Sequence, residues 1–263
     1  MKKLASVLLL LLVNNAFAHS ITIPLKPKDF SHHQLDDIYV GHKKIILTFD
    51  DGPNPVTSRF LDLLAEYEIK ANFFVIGSNV QRRPDVVARA VAEGHVIGNH
   101  SMTHFALKNL DPIMWKDKVK SEVLDAHTVI GPYMTNGPHF YYRAPEAAWA
   151  QKYADFLNED PIGRDYIGPV LWDIGGEMEY RNGKLVQAAD WDCWAKKVSV
   201  DECLKGYLYE INQKKGGVVL MHDLTTKSYQ LLAKLIPELE DRGYTFGTLN
   251  DVEWKSNLHE DWK

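Results

Sequence analysis

The chain has 263 residues, 45% hydrophobic and 25% charged, with 17 Gly, 12 Pro and 2 Cys, which excludes intrinsic disorder, collagen-like repeats and a disulfide-dense miniprotein. That length holds an ample core, as one barrel-sized α/β domain or two modest domains. Thirty Lys and Arg against 35 Asp and Glu give a net charge of −5 with no basic tract, so no nucleic-acid partner is expected and a neutral or cationic ligand fits better.

Lys2 and Lys3 precede an apolar run from Leu4 to Val13, and Ala16-Phe17-Ala18 supplies small residues at −3 and −1 of a cleavage site. This is the pattern of a secretory signal peptide over residues 1–18, because the run is about half of the roughly 20 apolar residues that span a bilayer. No Cys lies near the cleavage point to accept a lipid, so a periplasmic or secreted protein without a membrane anchor is expected. Removing 18 residues, two of them Lys, leaves 245 residues and a charge of −7.

Residues 19–42 contain Pro24 and Pro27 and little periodicity, and read as an irregular arm. A strand follows over 44–49, then a helix over 56–67 whose Phe60, Leu63, Leu64 and Tyr67 share one face. Strands over 71–76 and 95–98 flank a helix over 84–92, which opens on Pro84 and ends before Gly94. The alternation continues with a helix over 112–129, a strand over 140–143, a helix over 148–157 and a strand over 168–174. Beyond them lie a helix over 200–213, a strand over 217–221, a helix over 228–241 and a short strand over 245–249. Strands alternating with crossover helices imply parallel strands, in a barrel or an open doubly wound sheet. One catalytic domain over 43–252 is the economical reading, with a tail over 253–263 and a Trp-rich rim insertion over 175–199. Cys193 and Cys203, close in sequence in an exported chain, are expected to form a disulfide worth about 2 to 3 kcal/mol.

Acidic, His and Arg residues gather where strands end: Asp50 and Asp51, His100 and His104, Arg143, Asp173, and His222. In parallel α/β folds these ends converge on one face, where active sites lie. Asp50 and Asp51 are adjacent on an extended chain, so one can bind a metal while the other addresses a water. His100 and His104, four apart, complete with Asp51 a two-His, one-carboxylate metal site that leaves coordination positions open. His95 reads as a structural hydrogen-bonding residue, His127 and His139 as surface residues, and Trp172, Trp191 and Trp194 as core or as a platform for sugar rings.

The segments Thr48-Phe-Asp-Asp-Gly-Pro53, Gly98-Asn-His-Ser-x-x-His104, Arg143-x-Pro145, Asp190-Trp191 and Leu220-x-His222 stand in the order and spacing of a known family. The chain resembles the NodB-homology polysaccharide deacetylases, carbohydrate esterase family 4, over about residues 43 to 252. The resemblance implies a distorted (β/α)7 barrel and one divalent metal, usually zinc, though other transition metals are possible, held by Asp51, His100 and His104. It further implies Asp50 as the base, Arg143 as its orienting partner, His222 as the acid, and Leu220 and Trp191 lining a pocket for the acetyl methyl. A backbone N–H just after Arg143, that of Glu146, would stabilise the oxyanion.

Two segments depart from the family pattern. Arg143-Ala-Pro-Glu-Ala147 places Glu146 where an aromatic is common, and Gln187-Ala-Ala-Asp190-Trp191 lacks the Asp that would pair with the acid His. Asp173 and Asp190 are then the candidate partners of His222, and strand position favours Asp173. The implied activity is hydrolytic removal of acetyl groups from N-acetylglucosamine units of a glycan, releasing acetate. The expected partner is peptidoglycan, with chitin oligosaccharide and poly-N-acetylglucosamine as runners-up, acted on by a monomer. An inactive carbohydrate-binding protein and a non-haem iron oxygenase are readings of other classes. The complete set of ligands, base and acid disfavours both.

Overall fold

The computed structural model describes residues 30–35, 40–108, 110–252 and 254. The expected signal peptide, most of the arm and nearly all of the tail lie outside these residues. The arm is not irregular throughout, because β1 (Phe30–Leu35) pairs parallel to β6 (Tyr166–Val170). Its sequence has no apolar alternation to announce a strand. It is anchored instead by Phe30, whose ring sits 5.4 Å from those of Tyr142, Trp149 and Tyr166 and whose backbone N–H and C=O both bond the Asn158 side chain.

β2 (Lys44–Asp50) runs beside β9 (Gly217–His222) on one side and beside β10 (Thr245–Gly247) and β3 (Asn72–Val75) on the other, all parallel. β4 (Val96–Asn99) extends β3. Single bridges close the ring. Asn99 to Tyr142 joins β4 to the pair β5 (Phe140–Tyr141) and β6, and Ile174 to Val219 brings the chain after β6 back to β9. The result is the distorted (β/α)7 barrel.

Strand alternation divides the core. Ile45, Leu47 and Phe49 join the large cluster beneath the helices, Phe49 packing on Phe60 of α1 (Thr57–Glu66) at 5.3 Å. Ile46 joins a smaller cluster with Phe74, Val218 and Leu249. Thr48 and Asp50 share the parity of Ile46 and point into the barrel, which is how an apolar strand delivers a carboxylate to its upper mouth.

Three expected regions differ in detail. The helix expected over 112–129 is α4 (Trp115–Val119) and α5 (Asp125–Ile130) joined by a π turn, Lys120–Leu124. A short helix, α2 (Gly77–Arg82), follows β3 where none was read. The rim insertion contains a hairpin, β7 (Glu179–Arg181) and β8 (Lys184–Gln187), and α7 (Asp190–Ala195), with Leu185 and Ala188 in the main core. Cys193 and Cys203 are disulfide-bonded and fully buried, tying α7 to α8 (Val200–Lys214). His127 is not a surface residue. It is half-buried, with Nδ1 2.7 Å from the Tyr166 hydroxyl, and His139 is half-buried beside Tyr141.

His95 is the structural residue expected. It is buried, and its Nδ1 accepts the Ala71 N–H at 3.1 Å, which requires a neutral ring; burial pushes its pKa down to about 4. From about pH 6.5 to about 4 the unfolded chain takes up a proton that the folded chain refuses, so stability falls as pH falls through that window, by about 3 kcal/mol for this residue. His95→Asn keeps a carbonyl acceptor and does not titrate. Urea unfolding near pH 7 and near pH 4.5 is expected to show an acid loss about 2 kcal/mol smaller in the variant than in the parent.

Candidate active site

The upper mouth of the barrel holds a cavity of about 570 Å³ lined by Asp50, Asp51, His100, His104, Glu146, Asp190, Trp191, Leu220 and His222. Asp51 follows the last residue of β2 and His100 the last residue of β4. The backbone there is unusual. Asp51 (φ 75), Ser101 (φ 70) and His104 (φ 62) are left-handed, a conformation that costs non-glycine residues about 1–3 kcal/mol each. Neighbours hold it. Asn79 donates to the Asp51 carbonyl at 2.8 Å, the Asn99 side chain accepts from Ser101 N–H at 2.8 Å, and the Ser101 hydroxyl accepts from His104 N–H at 2.9 Å.

The Nε2 atoms of His100 and His104 lie 3.3 and 3.1 Å from Asp51 Oδ1. Asp51 Oδ1 is nevertheless a buried oxygen without a hydrogen-bond partner. His100 Nδ1 lies 2.8 Å from the Arg143 carbonyl, which can only accept, so the proton is on Nδ1 and the Nε2 lone pair is free. The separations match the edge, about 3.3 Å, of a tetrahedron with bonds of about 2.0–2.1 Å. A lone carboxylate oxygen facing two imidazole nitrogens in this triangle fits a divalent cation, and these three residues form the one such group among the described residues.

Asp50 lies on one side of this triangle. It is almost fully buried, with Oδ2 3.7 Å from His100 Nε2 and Oδ1 accepting from the Arg143 guanidinium at 2.8 Å. Arg143 is itself fully buried and spends its other donors on Thr48 Oγ1 and on the carbonyls of Val170 and Leu171, at 2.7 to 2.9 Å. Its guanidinium lies 4.2 Å over the Phe74 ring.

His222 lies on another side, with Nε2 4.0 Å from Asp51 Oδ2. Its Nδ1 pairs with Asp190 Oδ1 at 2.8 Å, so Asp190 is its partner. Asp173 is not. β6 stops at Val170, and the chain meets β9 again only at Ile174 opposite Val219, which leaves the Asp173 carboxylate on the Val218 N–H at 2.7 Å, far down β9 from His222. Asp190 is fixed from several elements. Its Oδ2 accepts from the His222 N–H and from Ser228 of α9 (Thr226–Asp241), and its own N–H bonds the Tyr207 hydroxyl. Ser228 and Tyr207 went unread because a helical Ser and a core Tyr carry no spacing signal.

Glu146 (φ 51) sits in the short 3-10 turn after Arg143, its carboxylate paired with Lys108 across the rim. Leu220 is buried, whereas Trp191 is half-exposed at the mouth and Trp194 bonds Ser228 through its indole N–H at 2.9 Å. Burial alone would lower the His222 pKa, but Asp190, with Asp50 and Asp51 behind it, raises it to about 9. In Asp190→Asn the partner charge is gone and burial remains. The imidazole resonances of His222, followed by NMR, are expected to titrate near pH 9 in the parent and at least one unit lower in the variant, roughly a tenfold change in proton affinity.

Residues 38–162 match the family described as polysaccharide deacetylase. A peptidoglycan-N-acetylglucosamine deacetylase of Bacillus cereus is 32% identical over 81% of this chain and 89% of its own length. A chitooligosaccharide deacetylase of Sinorhizobium fredii is 30% identical over 80% of this chain and 91% of its own. Among solved structures, a peptidoglycan N-acetylglucosamine deacetylase superposes with a TM-score of 0.63 at 27% identity, covering 85% of this chain and 91% of that one.

Proposed function

The chain belongs to the polysaccharide deacetylase family of metal-dependent amide hydrolases, and we propose that it removes acetyl groups from N-acetylglucosamine residues of peptidoglycan. The observation that carries this reading is the pairing of proton carriers around one cluster: Asp50 with Arg143 on one side of the Asp51, His100 and His104 triangle, His222 with Asp190 on another. The metal we assign to that triangle is zinc, which when bound supplies a Lewis acid for the acetamide carbonyl and acidifies water.

The residues of the chain then divide the work. Asp50, held by Arg143, takes the proton of the water that adds to the carbonyl carbon. The N–H of Glu146 is assigned to stabilise the oxygen on which negative charge develops. His222 gives its Nε2 proton to the departing nitrogen as the C–N bond breaks, releasing acetate and an amine. Because Asp190 raises the His222 pKa, the acid form is favoured and is lost as pH rises. Leu220 and Trp191 supply an apolar wall for the methyl group. The exported location, action as a monomer, and the choice of peptidoglycan over chitin oligosaccharide belong to the same proposal. The relative in Bacillus cereus and the signal-like leader favour it.

The test is acetate release from intact peptidoglycan and from chitin oligomers, by metal-stripped protein before and after zinc. Release only after zinc is expected, with Asp50→Asn slower by about 10²–10⁴-fold. His222→Ala is expected to keep the metal and lose turnover, whereas His100→Ala loses both. Metal-independent release sinks the mechanism, and release from chitin oligomers alone sinks the substrate.

A further inference from the structure

The turn that carries His100 and His104 is clamped from two directions. On one side, Gly77 and Ser78 at the start of α2 donate their N–H groups to the carbonyls of Ser101 and Met102, both at 2.9 Å. On the other side stands the π turn of the long helix. Its Val123 carbonyl accepts from the Asn99 side chain at 3.0 Å and its Glu122 carbonyl from Met102 N–H at 2.9 Å. The Glu122 carboxylate, 2% exposed, accepts both donors of Thr103: the N–H at 2.9 Å and the hydroxyl at 2.8 Å. Lys118 completes the network at 2.7 Å from Glu122 Oε1.

A buried carboxylate is costly unless its oxygens are all used, and here two of its three bonds go to the residue next to a proposed metal ligand. π turns inside helices recur at functional sites, where the extra residue re-aims side chains. We propose that Glu122 is a positioning residue for the metal site: by gripping Thr103 it holds His104 in its left-handed conformation, so that Nε2 faces Asp51. This rests on the metal reading of Asp51, His100 and His104. Glu122 touches neither metal nor substrate. It acts only through the turn. With Lys118 four residues earlier it reads in sequence as an ordinary solvated helix pair.

The experiment compares zinc dissociation constants, by chelator competition, of the parent, Glu122→Ala, Glu122→Gln and Thr103→Ala, together with the visible spectrum of each cobalt-substituted protein. Loss of an outer-shell partner of this kind weakens metal affinity by about 10–100-fold, and that is expected for Glu122→Ala. Glu122→Gln keeps a carbonyl acceptor for Thr103 and is expected to lose less. Thr103→Ala removes one bond without opening the buried site, so a few-fold loss with an unchanged metal-free Tm is expected, and it separates positioning from general stability. Equal zinc affinity and equal cobalt spectra in parent, Glu122→Gln and Thr103→Ala overturn the positioning role and leave the deacetylase reading intact. A parent that binds no divalent metal overturns both.

Discussion

The structure depends on one buried guanidinium. Arg143 has no exposed surface, and a charge taken out of water is tolerated only when its donors are met; breaking such a pair typically costs about 3–5 kcal/mol. Its side chain reaches Thr48 and Asp50 on β2 and the Val170 and Leu171 carbonyls at the end of β6, while its own N–H bonds the Asn99 carbonyl and its own carbonyl receives His100 Nδ1–H. One residue therefore fixes the orientation of the proposed base and the tautomer of a proposed metal ligand, and it strengthens the joint between β4 and β5, where strand pairing is reduced to the single Asn99 to Tyr142 bridge.

Around that joint the barrel separates two kinds of proton chemistry. Asp50 is a carboxylate held against a permanent cation, placed to take a proton in the proposed reaction. His222 is an imidazole kept cationic by a carboxylate, suited to giving one. Asp50 approaches the triangle at His100 and His222 approaches it at Asp51, so in the proposed mechanism an amide held over it would meet the base on the water side and the acid at its nitrogen. The left-handed residues Asp51, Ser101 and His104 are the conformational cost of aiming three side chains from two strand ends at one point, and the side-chain clamps around them offset it.

Much of this was legible in the sequence. The strands of the barrel and five of its crossover helices carry clear periodicity, and the strand-end position of Asp50, Asp51, His100, His104 and His222 is readable without coordinates. Of what was not legible, three features show the physical reasons most clearly. Asp173 looked like the end of a strand, but β6 stops early and the chain re-enters beside β9 lower down, a tertiary choice that the apolar run does not encode. β1 and the hairpin within the insertion depend on long-range packing, the Phe30 aromatic cluster and the seating of Leu185 and Ala188 in the main core, rather than on local pattern. Glu122 was hidden because its spacing from Lys118 is that of an ordinary exposed helix pair, whereas it is buried within the π turn against Thr103.

The position of Asp190 has an evolutionary reading. Asp190 and Trp191 are consecutive residues of α7, and the Trp191 N–H itself bonds Asp190 Oδ1 at 2.8 Å. The short helix that exposes an aromatic side chain at the mouth of the cavity is thus the same helix that raises the proton affinity of His222. Remodelling this rim to accept a different chain would shift the acid along with it. In the proposed mechanism selectivity and acid strength would be coupled, whereas Asp50 and the Asp51, His100 and His104 triangle, set at or just beyond the ends of β2 and β4, could stay constant while the rim diversifies.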